Sequence, residues 1–256
     1  MEITQSLKTV LKRIRLSGML PTLPDRVAYA KKTKMPYQDF LELVLQDEID
    51  RRDQVSLMNR LQKAQFEHEQ IFENFDWDVK VTFDRDLVRD LFSLGFLERN
   101  EDVIFMGHAG VGKTFLASAL GHSACRAGKQ VQFIRADAML KQLQKSRADN
   151  STEKLMRKLI SCDLLILDDF GLSKLDQEKS CDLYELIIER HRKSSTIITS
   201  NRTTDEWIPL FSDPLLAQSA LDRLAHNAHQ IEMEGETYRP NLGPSSPKNI
   251  KNRRKK

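Results

Sequence analysis

One octapeptide restricts the fold of this chain more than any bulk property does. Gly107-His108-Ala109-Gly110-Val111-Gly112-Lys113-Thr114 meets the pattern G-x-x-x-x-G-K-[ST] at every position. The glycines let the backbone curl so that its N–H groups converge on an anion. The helix that follows adds the positive end of its dipole. Lys113 is then placed to reach β- and γ-phosphates, and Thr114 to give a hydroxyl to Mg2+. The context fits: an apolar run at 102–106 (DVIFM) precedes the loop, and TFLASAL follows it. The spacing predicts strand, phosphate loop and helix, with ATP and Mg2+ as cofactors. A glycine-rich turn without a ligand is the competing reading, and the strand–helix setting weighs against it.

The rest of residues 83–239 supports such a core. Apolar strands are expected at 102–106, 131–134, 164–167, 196–200 and 230–233. Helices are expected at 114–127, 137–147, 153–161, 177–192 and 215–225, with Gly128 closing the first. Thr203 and Glu206 have capping-box spacing. Continuous apolar strands alternating with helices predict an α/β fold, a parallel sheet covered on both faces. The strand LLIL ends in Asp168 and Asp169. Asp168 would hold Mg2+ through water, and Asp169 would orient and deprotonate an attacking water. Asn201, at the tip of TIITS, either holds that water or caps a turn, where asparagine is favoured anyway.

Residues 1–66 read as a helical N-terminal domain. Leu7, Val10, Leu11 and Ile14 keep helical spacing, as do Phe40, Leu41, Val44 and Leu45, continued by Val55, Met58 and Leu61. These stripes are expected to be packed. Pro36 suits a helix's first turn. Residues 67–82 read as a polar and aromatic connector, and residues 240–256 as a disordered basic tail. That tail carries +6, which leaves the other residues at −3, while residues 1–66 carry +4. Positive ends of this kind suit nucleic acid. Lys8, Lys12, Arg13, Arg15, Lys31, Lys32 and Lys34 are the candidate DNA contacts. The three cysteines, Cys125, Cys162 and Cys181, lack metal spacing and are expected as buried thiols. His226 and His229 have no accompanying ligand cluster. No apolar stretch is long enough to span a membrane, and basic residues interrupt the N-terminus, so a cytoplasmic protein is expected.

GHAGVGKTFLASAL, LLILDDFG, TIITSNRTTDEW, ALDRLAHNAHQIEMEGETYR, the FDWD segment and MPYQDFLELVLQDEIDRR together resemble the IstB family. These are ATP-binding helpers of insertion-sequence transposition, similar to DnaC-type helicase loaders among the AAA+ ATPases. The resemblance implies an AAA+ P-loop core behind a helical N-terminal domain. It implies ATP bound by residues 107–114 and Phe115. It also implies Arg223 as a finger entering a neighbouring subunit's site and Arg239 as a sensor of its own subunit's nucleotide. The implied partners are double-stranded DNA, a transposase and further copies of the chain, assembled with ATP. Asp-Asp replaces the Asp-Glu of many AAA+ proteins, which implies slow or stimulated hydrolysis. A replicative helicase loader, a small-molecule kinase and an ATP-binding scaffold without turnover stay open as alternatives.

Overall fold

The computed structural model describes residues 3–77 and 80–237. The chain divides into two compact units, Met1–Asn59 and Arg60–Lys256.

In the first unit the apolar repeats form helices, but they bury only part of what they carry. Helix α1 (Gln5–Arg13) starts at Thr4, whose hydroxyl accepts from the Leu7 amide. Helix α2 (Leu23–Thr33) has proline in its first turn, and α3 (Tyr37–Ala64) runs 28 residues across the division. Leu11, Met19, Leu23 and Val44 make the unit's small core, with Phe40 packed against it. Glu48 is buried, accepting from the Met19 amide at 3.0 Å and from Arg52 at 2.8 Å. Arg26 clamps Asp47 through two hydrogen bonds. The expectation of packed stripes needs correction. Leu7 and Val10 of α1, Ile14 just after it, and Leu41, Leu45, Val55 and Met58 of α3 face solvent. Periodicity marks an apolar face, and the helices available here cover only one side of it.

The second unit begins with the last turns of α3. The guanidinium of Arg60 donates to the Cys125 carbonyl, and Phe66 stacks on His122 at 4.2 Å. The division thus falls seven residues before the boundary expected at 66. A short 3-10 turn (Phe72–Asn74), strand β1 (Val81–Thr82) and helices α4 (Arg85–Leu91) and α5 (Gly95–Glu98) follow. These were not legible as elements in the weakly periodic connector and its sequel.

The core then alternates as the sequence predicts. Strand β2 (Asp102–Gly107) leads into α6 (Lys113–Arg126), and β3 (Val131–Arg135) into α7 (Ala136–Ser146) and α8 (Thr152–Ser161). Strand β4 (Leu164–Phe170) precedes α9 (Gln177–Arg190), and β5 (Ser195–Ser200) precedes a 3-10 helix (Thr204–Leu210). Helix α10 (Pro214–His226) and β6 (Ala228–Gly235) complete it. The sheet order is β1-β6-β2-β5-β4-β3, parallel except for β1, which runs antiparallel on β6. Ile104, Met106, Leu165, Leu167 and Ile198 face one side, into a core shared with Met139, Leu159, Leu186 and Leu221 of α7 to α10. The intervening strand residues face the other side, as the period of two requires, and α6 packs on β2 to β5.

The capping box at Thr203 and Glu206 is present. Just after it, fully buried Trp207 meets Phe170 edge-on at 4.6 Å and donates to Ser200 Oγ. That contact ties the ends of β4 and β5 together where the acid pair sits. Cys125 and Cys162 are buried as expected, whereas Cys181 is exposed on α9, a correction that follows from its outward helix position. Among the described residues no helix is long and apolar enough to cross a membrane.

Candidate functional site

Every parallel strand ends at the same edge of the sheet, and the chemistry-bearing residues gather there. At the end of β2, Gly107 has φ +139°, and a Cβ on it would lie 2.0 Å from the Met233 carbonyl oxygen of β6. Only glycine satisfies both the angle and the approach. Gly112, at φ +106°, makes the last turn before α6. Val111 is buried under the loop, and His108 and Ala109 are exposed on it.

Lys113 is 5% exposed, and its ammonium is fully engaged rather than reaching into water. Nζ donates to the Gly107 and His108 carbonyls at 2.6 and 2.7 Å and to Asn201 Oδ1 at 2.8 Å. The structure therefore brings Asn201, 88 residues away in sequence, onto the loop's own lysine. Thr114, in the first turn of α6, donates to Asp168 Oδ1 at 2.8 Å.

The two acids owe their placement to a bulge. A strand sends successive side chains to opposite faces, so Asp168 and Asp169 would normally point apart. The β4–β5 register runs Leu167 to Ile198 and then Phe170 to Ser200, so both aspartates oppose Thr199 alone. Thr199 Oγ1 donates to Asp168 Oδ1 at 2.6 Å and accepts the Asp169 amide at 2.9 Å. Asp169 takes the left-handed region, φ +55°, which re-aims its carboxylate. That carboxylate meets Arg135 Nη2, from the end of β3, at 2.7 Å. Asp168 is 3% exposed. Burial pushes its carboxyl up, and the hydroxyls of Thr199 and Thr114 oppose that shift.

Thr199 and Arg135 were missed from sequence. Their signals were a polar residue inside the buried strand TIITS and a basic residue closing VQFIR, and neither is specific. The FDWD segment does more than connect. Phe75 approaches Phe115 at 5.5 Å between ring centres and packs edge-on against Trp77, so an aromatic group stands beside the phosphate loop.

Arg223 is not part of this constellation. It lies near the end of α10, bonded to Ser219 at 3.0 and 2.6 Å. The chain then enters β6 at Ala228, which pairs with Asp102 at the start of β2. Arg223 thus sits at the edge of the sheet opposite its own phosphate loop. Arg239 falls outside the described residues. Lys8, Lys12, Arg13, Arg15, Lys31, Lys32 and Lys34 are all exposed in the first unit.

The donor set suits a nucleotide with a hard divalent cation. A threonine hydroxyl and a carboxylate in contact are oxygen ligands of the kind Mg2+ takes, and the lysine beside them matches phosphate.

Comparisons with known proteins bear on the family and the fold. A protein assigned to ATP binding in an insertion sequence of Mycobacterium tuberculosis is 39% identical over 240 residues, covering 93% of this chain and 96% of the relative. The protein assigned to ATP binding in insertion sequence IS21 of Pseudomonas aeruginosa is 35% identical, covering 91% and 88%. Among solved structures, DnaI aligns at TM-score 0.55 and 18% identity over 65% of this chain and 92% of its own. The DnaC helicase loader aligns at TM-score 0.51 and 18% identity over 58% and 86%. These two carry the fold alone, that of AAA+ P-loop ATPases. The pattern of the IstB-like ATP-binding proteins matches residues 9–243, and on that span this chain belongs to the family.

Proposed function

We propose that the chain is a Mg2+-dependent ATPase that assembles on double-stranded DNA with ATP and assists a transposase. One observation carries the reading. Lys113, Asn201, Thr114, Asp168 and Asp169 are linked at one edge of the sheet, while Arg223, the expected finger, lies at the other. A site that gathers the proposed water-activating residues at one edge, with the expected finger at the other, calls for a second subunit to complete it.

The residues divide the work as follows. The loop amides and Lys113 hold the β- and γ-phosphates, Lys113 exchanging its loop carbonyls for phosphate oxygens. Thr114 and Asp168 would hold Mg2+, which would supply positive charge to the phosphates. Asp169 accepts the proton of a water held with Asn201 as that water adds to the γ-phosphorus. The bond from phosphorus to the β,γ-bridging oxygen breaks, and ADP leaves with the electron pair. Arg223 of one subunit stabilises the charge in the next subunit's site. The exposed bases of the first unit, and the basic tail, contact DNA phosphates, which predicts weak sequence preference.

The test is sizing of the protein with duplex DNA under ATP, ADP or no nucleotide, beside hydrolysis assays. Lys113→Ala should lower ATP affinity about a hundredfold, the loss of charge-assisted hydrogen bonds, and abolish assembly. Arg223→Ala should bind ATP as the monomer does yet hydrolyse it poorly. Assembly that ignores nucleotide, or full hydrolysis by Arg223→Ala, overturns the reading.

A further inference from the structure

Asn201 stands just beyond the sheet. Strand β5 ends at Ser200 and the next 3-10 helix begins at Thr204, so Asn201 belongs to neither element. Its carboxamide is nonetheless aimed at Lys113, with Oδ1 2.8 Å from Nζ. We infer that Ser200 is a positioning residue for hydrolysis, whose buried hydroxyl fixes the Asn201 backbone and so aims that carboxamide. The inference rests on Asn201 holding the attacking water.

The first argument is the ring that the hydroxyl closes. Ser200 Oγ accepts from the Arg202 amide at 3.1 Å. A serine oxygen bonded to the amide two residues on makes a turn centred on the residue between them, here Asn201. That turn limits the backbone angles of Asn201, and with them the directions open to its side chain. The second argument is saturation. A hydroxyl has one proton to give and two lone pairs. Ser200 Oγ gives its proton to the Phe170 carbonyl at 2.8 Å and accepts from Arg202 and from Trp207 Nε1, the latter at 3.2 Å. Its capacity is used in full, so the rotor has one setting. The third argument is what those partners rest on. Ser200 and Trp207 are 0% exposed and Phe170 3%, with the two rings packed edge-on. The hydroxyl thus ties an exposed turn to a closely packed part of the core. With Oδ1 on Lys113, the carboxamide Nδ2 is the donor left for a water at the γ-phosphate.

A buried serine that only satisfies its neighbours would be the plainer reading. Burial accounts for the bonds to Phe170 and Trp207, which water does not reach. It does not account for the third. Arg202 is exposed, so water can serve its amide, and the bond to Ser200 has the turn as its consequence. The Arg202 guanidinium holds the same turn from outside, its Nε donating to the Gly171 carbonyl at 2.8 Å.

The experiment measures steady-state hydrolysis, ATP affinity and thermal unfolding of the full chain for Ser200→Ala, Trp207→Phe, Asn201→Ala and the Ser200→Ala/Asn201→Ala double variant, with turnover assayed below every melting temperature. Ser200→Ala should lower kcat about tenfold, the effect of a misaimed group, and leave ATP affinity within about threefold of the parent. Trp207→Phe removes one donor to the hydroxyl and keeps the turn, so it should lose at least as much thermal stability yet keep kcat within about twofold. In the Asn201→Ala background the serine substitution should bring no further loss of turnover. If Ser200→Ala does not fold, Ser200→Cys, a weaker donor in nearly the same space, carries the test and should show a smaller loss of the same kind. An unchanged kcat in the serine variant, losses that add in the double variant, or losses that track melting temperature in Ser200→Ala and Trp207→Phe alike overturn the positioning role while Asn201 keeps its assignment. Full hydrolysis by Asn201→Ala removes that assignment, and the role of Ser200 goes with it.

Discussion

Asp168 and Asp102 stand at opposite edges of the same sheet and look alike by any measure of burial. They are 3% and 4% exposed, and burial raises both carboxyls, Asp102 to about 7. Their partners differ. Asp168 is held by two side-chain hydroxyls, Thr114 and Thr199, groups that can turn from a carboxylate to a cation. Asp102 accepts chiefly the Thr196 backbone amide at 2.7 Å, a donor that the sheet holds rigid, with the Asn227 side chain a lesser partner. Close by, Arg190 is 2% exposed and spends its donors on the carbonyls of Leu159, Ile160, Cys162 and Ser195. Burial and a raised pKa therefore do not separate the carboxylate proposed to hold a metal from a structural one. The exchangeability of its partners does.

The largest effect that would test this contrast is on turnover. Asp168→Asn keeps the size and the hydroxyl contacts but removes the charge. Hydrolysis should fall about a hundredfold or more, as when a group ordering a metal is lost, with thermal stability unchanged or higher. Asp102→Asn should hydrolyse ATP within about twofold of the parent, because it touches no group of the site. Comparable losses from the two substitutions, measured in one turnover assay, would erase the distinction.

Thr199→Val sharpens the same comparison from the side of the partners. The change removes the donor to Asp168 and leaves the Asp169 amide unpaired inside the bulge. Stability should drop by about 1–3 kcal/mol, and hydrolysis by about tenfold because both acids lose their alignment. Thermal unfolding and turnover measured on one preparation check the two figures. Unchanged turnover would mean that the bulge, not the hydroxyl, orients the acids.

These residues also show where the sequence was informative. The phosphate loop was readable because eight adjacent residues carry it, and the strand before it and the helix after it follow local patterns. Asp168 and Asp169 were readable as acids at a strand end, but nothing local says that a bulge turns both toward one edge. Thr199 and Arg135 act through neighbours fixed only by strand order β5-β4-β3, which is a tertiary fact. In the first unit the limit was different. Tyr37, Leu41, Leu45 and Ile49 recur every four residues along α3, and all four are exposed. The period gave the helix and left open what covers it. Residues 67–82 carry only a weak period, yet they place Phe75 against Phe115 beside the loop, because aromatic packing needs no repeat.

The smallest expected effect on turnover is at the structural end of the sheet, where a substitution acts on stability and its sign is fixed by linkage. The Asp102 carboxyl titrates at about 7 when folded and near its ordinary value of 3.8 when unfolded. Below about pH 3 both states are protonated and the group is neutral to stability. As pH rises toward 7 the unfolded chain ionises first, so the native state loses stability, and above 7 that loss is complete. The carboxamide of an Asp102→Asn variant cannot ionise, so the variant's stability relative to the parent should climb by about 4 kcal/mol between about pH 4 and pH 8. The absolute offset also depends on Arg190, which loses a nearby negative charge in the variant, but that charge is already met by four carbonyls. Urea unfolding across that pH range reads the slope directly. A flat difference would show that Asp102 is ionised in the fold throughout and pairs with Arg190, making it a buried ion pair rather than a neutral acid.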